Sequence, residues 1–179
     1  MAFSLTSLGA AEARAALPHL VGLLLDAVAS GAAVGFLPPL AADEAHKYWQ
    51  GVIEALEGGH RVLLVAYPAG EAILLGAVQL DLATRPNALH RAEVSKLLVH
   101  RLARRQGLAR QLLQALEVEA RRLGRTTLVL DTRHGDVAER LYLGMGYQLV
   151  GLIPAYFINN DGQPHATTLY YKLLGAVET

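Results

Sequence analysis

Val99-His100-Arg101-Leu102-Ala103-Arg104-Arg105-Gln106-Gly107-Leu108-Ala109-Arg110 leaves one regular element, turns through basic residues and enters another at small residues. Before it, Ala92 to Val99 reads as a strong strand. After it, Leu108, Leu112, Leu113, Leu116, Ala120 and Leu123 fall on one helical face, and Gly124 sits where a left-handed C-cap is wanted. Thr127 to Thr132 is β-branched and apolar, a further strand. Strand, helix and strand within about forty residues imply a crossover and therefore a parallel pair. The junction also carries chemistry. The first N–H groups of a helix have no intrahelical partner, and the helix dipole adds partial positive charge there. Gly107 and Ala109 let a large anion approach the backbone, and Arg104, Arg105 and Arg110 add charge, which suits a pyrophosphate. The same residues also read as an ordinary loop with solvated arginines. Their glycine spacing is neither a Walker nor a Rossmann fingerprint.

Working outward, Phe3 to Leu8 alternates as an opening strand, and a helical stretch over residues 10–29 follows. Pro18 either breaks that stretch or opens a second segment. Asp43 is placed to cap a helix running to about Leu56, stopped by Gly58-Gly59. Arg61 to Tyr67 and Ala72 to Leu80, joined at Pro68-Ala69-Gly70, predict an antiparallel hairpin. Downstream, Asp136 and Glu139 have capping-box spacing before a short helix ending near Gly144 and Gly146. Tyr147 to Ile153 and Thr167 to Leu173 are the last strands, with Tyr156 to His165 as a loop between them. The order β-α-α-β-β-β-α-β-α-β-β predicts one α/β (α+β) domain over residues 1–179. Its sheet of about seven strands is mixed and mostly antiparallel, with helices on both faces and a central parallel β-α-β unit.

Composition narrows the function. The chain of 179 residues is 53% hydrophobic and 18% charged, with 16 basic and 16 acidic side chains and no cysteine. That balance provides no net field for nucleic acid or an acidic membrane surface. Disulfides, thiolate zinc sites and cysteine nucleophiles are excluded, and a cytoplasmic location is the expectation. Residues 20–37 are apolar with Asp26 as their one charge, but Gly31, Gly35 and Pro38-Pro39 break them, so a buried helix is expected rather than a signal or membrane segment. His90, His100 and His134 lack metal spacing, so no metal is expected.

Arg104-Arg105-Gln106-Gly107-Leu108-Ala109 resembles the Arg/Gln-x-x-Gly-x-Gly/Ala motif of the GNAT acetyltransferases, and Ala138-Glu139-Arg140-Leu141-Tyr142-Leu143-Gly144-Met145-Gly146-Tyr147 resembles their Ala-x-x-Leu-Tyr-x-x-x-Gly-Tyr/Phe block. Gly35 to Pro39, His90 to Leu97, Asp131-Thr132 and Tyr170 to Leu174 are similar to tabtoxin-resistance-type acetyltransferases, so the likeness spans nearly the whole chain. The resemblance implies a GNAT fold and acetyl-coenzyme A as co-substrate. It places the pyrophosphate on residues 104–109, with Leu108 among them, and pantetheine along the exposed backbone of Lys96-Leu97-Leu98-Val99. One departure is Gly135 in place of an asparagine common in the superfamily, which removes one hydrogen bond to the pantetheine arm.

Acetyl transfer to an amine needs a neutral amine, stabilisation of an oxyanion and protonation of a departing thiolate. Period-two alternation places Glu93 on one face with Leu97 and Val99, beside the cofactor strand, where a carboxylate serves as general base. The resemblance assigns Glu93 and Asp131 to deprotonation through water and Tyr142 to the thiolate. A backbone N–H near Leu97 or Leu98 is the expected oxyanion donor. The plainer alternatives are Glu93 paired with Arg91 or Arg101, Asp131 capping a strand end, and Tyr142 as a core aromatic. The acceptor is expected to be a small-molecule or amino-acid-like amine, enclosed by residues 31–40 and 156–165. A protein or peptide amine and a catalytically idle coenzyme A-binding domain remain as alternatives, and a homodimer is left open.

Overall fold

Seven strands, five α-helices and two single-turn 3-10 helices (Pro86–Ala88 and Arg101–Ala103) lie within the described residues, 2–70 and 73–175, of the computed structural model. The strands are β1 (Phe3–Ser7), β2 (Arg61–Pro68), β3 (Gly76–Leu82), β4 (Arg91–Val99), β5 (Thr127–Arg133), β6 (Gln148–Ile158) and β7 (Pro164–Leu173). The helices are α1 (Ala10–Ala15), α2 (Leu17–Ala29), α3 (Ala42–Glu57), α4 (Leu108–Arg122) and α5 (Ala138–Leu143). They form one sheet in the order β1-β2-β3-β4-β5-β7-β6, in which only β4 and β5 run parallel. The expected mixed sheet with a central β-α-β unit is present.

Both faces are covered because the helices are amphipathic. Leu20, Leu23, Leu24, Ala27 and Val28 of α2 and Ala45, Trp49, Val52 and Ile53 of α3 pack on Leu63, Val65, Ala77 and Leu98. On the opposite face, Leu108, Leu112, Leu113, Leu116 and Ala120 of α4 pack on Val78, Leu80, Val94 and Leu128, joined by Tyr142 of α5. Each fully buried leucine contributes about 1.5–3 kcal/mol. Helix α4 sits close to β3: a Cβ at Gly76 would fall 2.9 Å from Leu112 Cδ1 and 3.1 Å from Leu108 Cδ2. Glu117 of α4 is buried but answered by Lys172 of β7, whose Nζ donates to both carboxylate oxygens at 2.7 Å and to the Met145 carbonyl at 2.6 Å.

Several local expectations change. Pro18 opens α2 in its first turn, so three helices precede β2. Asp43 lies inside the first turn of α3 and the N-cap is Ala41, without a side-chain bond; the acid favours the helix through its dipole instead. The hairpin forms, but β3 starts at Gly76, and the expected start at Ala72 lies outside the described residues. The N-cap of α5 is Val137; Asp136, one residue earlier, accepts from the Ala138 N–H at 2.9 Å and the Glu139 carboxylate accepts from Thr168 Oγ1 at 2.7 Å, so the expected capping box does not form. The segment expected as a loop from Tyr156 to His165 is half strand, with the turn confined to residues 159–163: Phe157 pairs with His165 and Ile158 with Pro164. Backbone pairing resumes there because the intervening residues around Ala155 (φ 50°) form a bulge instead of ending the strand.

Candidate active site

The seam between β4 and β5 organises the site. Only Arg91↔Thr127, Ala92↔Leu128 and Glu93↔Val129 are in register, and beyond them the two strands part. The backbone of β4 past Glu93 therefore faces a gap on its β5 side. A second irregularity sits on the same stretch. Gln79 pairs with Ser95 but Ala77 with Leu98, so one residue of β3 opposes two of β4, and Lys96 takes a left-handed φ of 49°. This bulge overturns the expected alternation. Val94 packs on the α4 face and Leu98 on the α1–α3 face, although four residues apart. Leu97 and Val99 accordingly pack toward α4, opposite the face carrying Glu93. The extra residue inverts the side-chain phase of everything after it.

Glu93 shares its face with a polar strip laid across the sheet by register: Arg61 of β2, Gln79 and Asp81 of β3, Ser95 of β4, then Asp131 of β5. Arg61 forms an ion pair with Asp81, which also accepts from Ser95 Oγ at 2.7 Å. Thr167 Oγ1, fully buried on β7, donates to Asp131 Oδ2 at 2.7 Å and fixes that carboxylate. Glu93 has neither an ion-pair nor a hydrogen-bond partner among the described residues; Arg101 is engaged by Asp26 instead. Burial, then the negative charges of Asp81 and Asp131, raise the Glu93 carboxyl above its ordinary range. A raised carboxylate is a stronger base.

Tyr142 comes from the other face of the sheet, packed edge-on to Tyr147 at 5.7 Å between ring centroids. Burial, then the charges of Asp136 and Asp131, push its phenol well above the usual value, so it stays protonated. Yet Tyr142, Glu93 and Asp131 line one cavity of about 570 Å³, which therefore passes through the gap between β4 and β5. Its walls are residues 32–37 on one side and Tyr156–Asn159 of the β6–β7 hairpin on the other, the two segments expected to enclose an acceptor. Arg133 braces this wall, donating to Asp136 Oδ2 at 3.0 Å and toward the Gly31 carbonyl at 3.5 Å.

A second cavity, about 630 Å³, lies along the β4–α4 loop and is lined by other residues of β4 and α5, Val99 and Leu141, than the first. Val99, Arg104, Arg105, Gly107, Leu108, Ala109 and Arg110 line it, together with Arg101, Val137 and Leu141. Gly107 (φ 80°) is the N-cap of α4, and Arg105 (φ 59°) is left-handed two residues earlier. Alternating hand of this kind turns successive amides inward, and the first amides of α4 follow without intrahelical acceptors. The donors, the guanidinium groups and the glycine without a Cβ fit a pyrophosphate. Of the residues expected at the pyrophosphate, Gln106 turns its side chain back to donate to the Leu102 carbonyl at 2.9 Å. Leu97 and Leu98, expected to offer backbone to pantetheine, lie on β4, where the Leu97 side chain lines the first cavity and that of Leu98 is buried in the α1–α3 core. Asp26 holds the start of the loop, accepting from the Arg101 backbone N–H at 3.0 Å and from its guanidinium. Burial would raise that carboxyl, but Arg101 and His100 more than offset it and hold it below its usual range.

Sequence reasoning missed Thr167 and Arg133. The first is recognisable only through the β5–β7 register, and the second only once the α2–α3 connection is seen to lie beside the end of β5. Among the described residues, no helix is long and apolar enough to cross a membrane.

Comparison with known proteins bears on the family and the fold. The chain is 37% identical over 110 residues to an uncharacterised N-acetyltransferase of Azospirillum brasilense from a hisH-hisA intergenic region; the match covers 60% of this chain and 62% of that protein. In fold it is similar to an N-acetyltransferase from Staphylococcus aureus Mu50, with TM-score 0.79, 22% identity and coverage of 98% and 100% of the two chains. It is also similar to YncA of Salmonella typhimurium, a proposed acetyltransferase solved with its cofactor acetyl-CoA, with TM-score 0.77, 21% identity and coverage of 100% and 98%. The profile of the acetyltransferase (GNAT) family matches residues 19–147, more than half of the chain, and the protein belongs to that family.

Proposed function

We propose that the protein is an acetyl-coenzyme A-dependent N-acetyltransferase acting in the cytoplasm on a primary amine of a small, amino-acid-like molecule. The observation that carries this reading is the convergence of Glu93, Asp131 and Tyr142, from three elements and both faces of the sheet, on one cavity beside the basic loop cavity. Its volume of about 570 Å³ lies within the range usual for small-molecule sites, about 300–1,000 Å³.

Acetyl-coenzyme A supplies the activated thioester. Residues 104–110, apart from the Gln106 side chain folded back onto Leu102, hold its pyrophosphate, and the β4 backbone past Glu93 offers free groups to the arm that enters the gap. Glu93, raised above the ordinary carboxylate range, takes a proton from the acceptor amine directly or through water. Asp131, fixed by Thr167, orients that exchange. A backbone N–H near Leu97 or Leu98, redirected by the Lys96 bulge, donates toward the oxygen that becomes negative. Tyr142, kept protonated by burial, donates to the departing sulfur.

The test is thiol release from acetyl-coenzyme A across small amines and lysine peptides. Amine-dependent release that falls tenfold or more in Glu93→Gln and Tyr142→Phe, given contributions of about 10²–10⁴ for such groups, supports the assignment. Saturable coenzyme A binding without release for any amine overturns it.

A further inference from the structure

Within the cavity, charges pair off unevenly. Among the cavity's cations Arg133 is matched with Asp136, while Arg61, on the strip beside the cavity, is matched with Asp81. Lys96 lines the same cavity and has no ion-pair or hydrogen-bond partner among the described residues. Its ammonium lies 5.7 Å above the centre of the Tyr48 ring and would be 3.7 Å from a Cβ at Gly35. The ring beneath it is held still. Gln79, fully buried, donates to the Tyr48 hydroxyl at 2.9 Å, and Phe36 and Trp49 pack edge-on at 5.3 and 5.2 Å. The backbone spends a left-handed residue at this position, which a lysine adopts only at a cost of about 1–2 kcal/mol. Burial lowers the pKa of the ammonium, and the carboxylates of Asp81, Asp131 and Glu93 oppose that shift without cancelling it.

We infer that Lys96 is a specificity-determining residue that binds a carboxylate carried by the acceptor itself, so that the preferred substrates are amino acids whose amine faces Glu93 and Asp131. The inference rests on the acceptor-cavity reading above. The two ends of such a molecule meet opposite charges: carboxylates of β4 and β5 toward the amine, and the one unmatched ammonium toward the acid. Tyr48 keeps that ammonium raised on a polarisable face. Gly35, lacking a Cβ, leaves the approach open.

The experiment compares amino acids with their own amides, leucine with leucinamide and lysine with lysinamide, for wild type, Lys96→Gln, Lys96→Arg and Lys96→Glu. Each wild-type to variant ratio cancels the differing basicity of the two amines. The acid-to-amide ratio of kcat/KM is expected to fall about tenfold or more in Lys96→Gln, through KM for the acid, and further in Lys96→Glu. It should be largely retained in Lys96→Arg, which keeps the charge on the same strained backbone. A ratio unmoved in Lys96→Gln and Lys96→Glu overturns the inference while leaving acetyl transfer intact. Calorimetric binding of the same pairs provides a readout independent of turnover. If no acceptor is acetylated, binding that depends on the carboxylate and is lost in Lys96→Gln still supports the inference, and binding indifferent to the carboxylate overturns it.

Discussion

The two cavities of this protein are built in opposite ways. The basic loop is made within one short run of chain, by backbone: a left-handed Arg105, a left-handed Gly107 and the open end of α4. The cavity at the β4–β5 gap is made by side chains delivered from β4, β5, α5, the α2–α3 connection and the β6–β7 hairpin. A site of the first kind needs local conformation and tolerates change at its exposed side chains. A site of the second kind exists only when the whole sheet is in register, so its chemistry is sensitive to single atoms while its shape depends on distant packing.

Four substitutions break or sharpen this contrast. Glu93→Gln has the largest effect: kcat drops by about 10²–10⁴, while affinity for acetyl-coenzyme A, read by calorimetry, stays within a factor of two or so because the cradle lies elsewhere. Weakened cofactor binding in that variant would erase the division between the two sites. Gly107→Ala acts in reverse. Its new Cβ meets nothing within 4 Å, so the penalty is the left-handed φ of 80° alone. At about 1–2 kcal/mol, the free loop relaxes out of the cradle and the dissociation constant for acetyl-coenzyme A rises roughly tenfold, with the acceptor KM little changed. Asp131→Asn removes one of the charges that raise Glu93. The base works deprotonated, so kcat/KM falls as pH drops through the Glu93 pKa, and in the variant this acid limb moves to lower pH. A limb that stays put in a pH profile would separate Asp131 from Glu93. Arg14→Ala touches neither cavity. Its ion pair with Glu57 is exposed on both sides, 59% and 51%, so stability changes by about 0–1 kcal/mol and both affinities are untouched in a thermal and kinetic comparison.

What could be read from the sequence follows the same division. The β4–α4–β5 unit, the cap at Gly124 and the basic loop were legible because each depends on residues a few positions apart: Gly124 donates to the Arg121 carbonyl at 2.9 Å and Arg125 to Ala120 at 2.8 Å, closing the helix locally. Glu93, Asp131 and Tyr142 were nameable from resemblance, and the structure brings the three to one cavity. The phase of β4 was not legible. A bulge centred on lysine, without glycine or asparagine to announce it, leaves an alternating pattern that looks regular, and so Leu97 and Val99 were assigned to the wrong face. Asp43 was misread as a cap because an acid in the first turn and an acid at the cap leave the same local signal. Thr167 on Asp131 and Gln79 under Tyr48 join residues 36 and 31 positions apart, the first through strand pairing and the second through the packing of α3 on the sheet.

The three-pair register between β4 and β5 has a mechanical consequence. A hydrogen-bonded sheet carries load continuously from edge to edge, and here that fabric narrows at its midline to a short run of stitches. The strands β1–β4 and β5–β7 form two leaves joined by this narrow seam and by the helices packed across it. Anything that lies in the gap and bonds to β4 acts as a rivet. Amides of β4 beyond Glu93 should therefore exchange with solvent faster than those of β3 beside them, and slow when the gap is filled. Heat should open the protein first along the line where its chemistry is done.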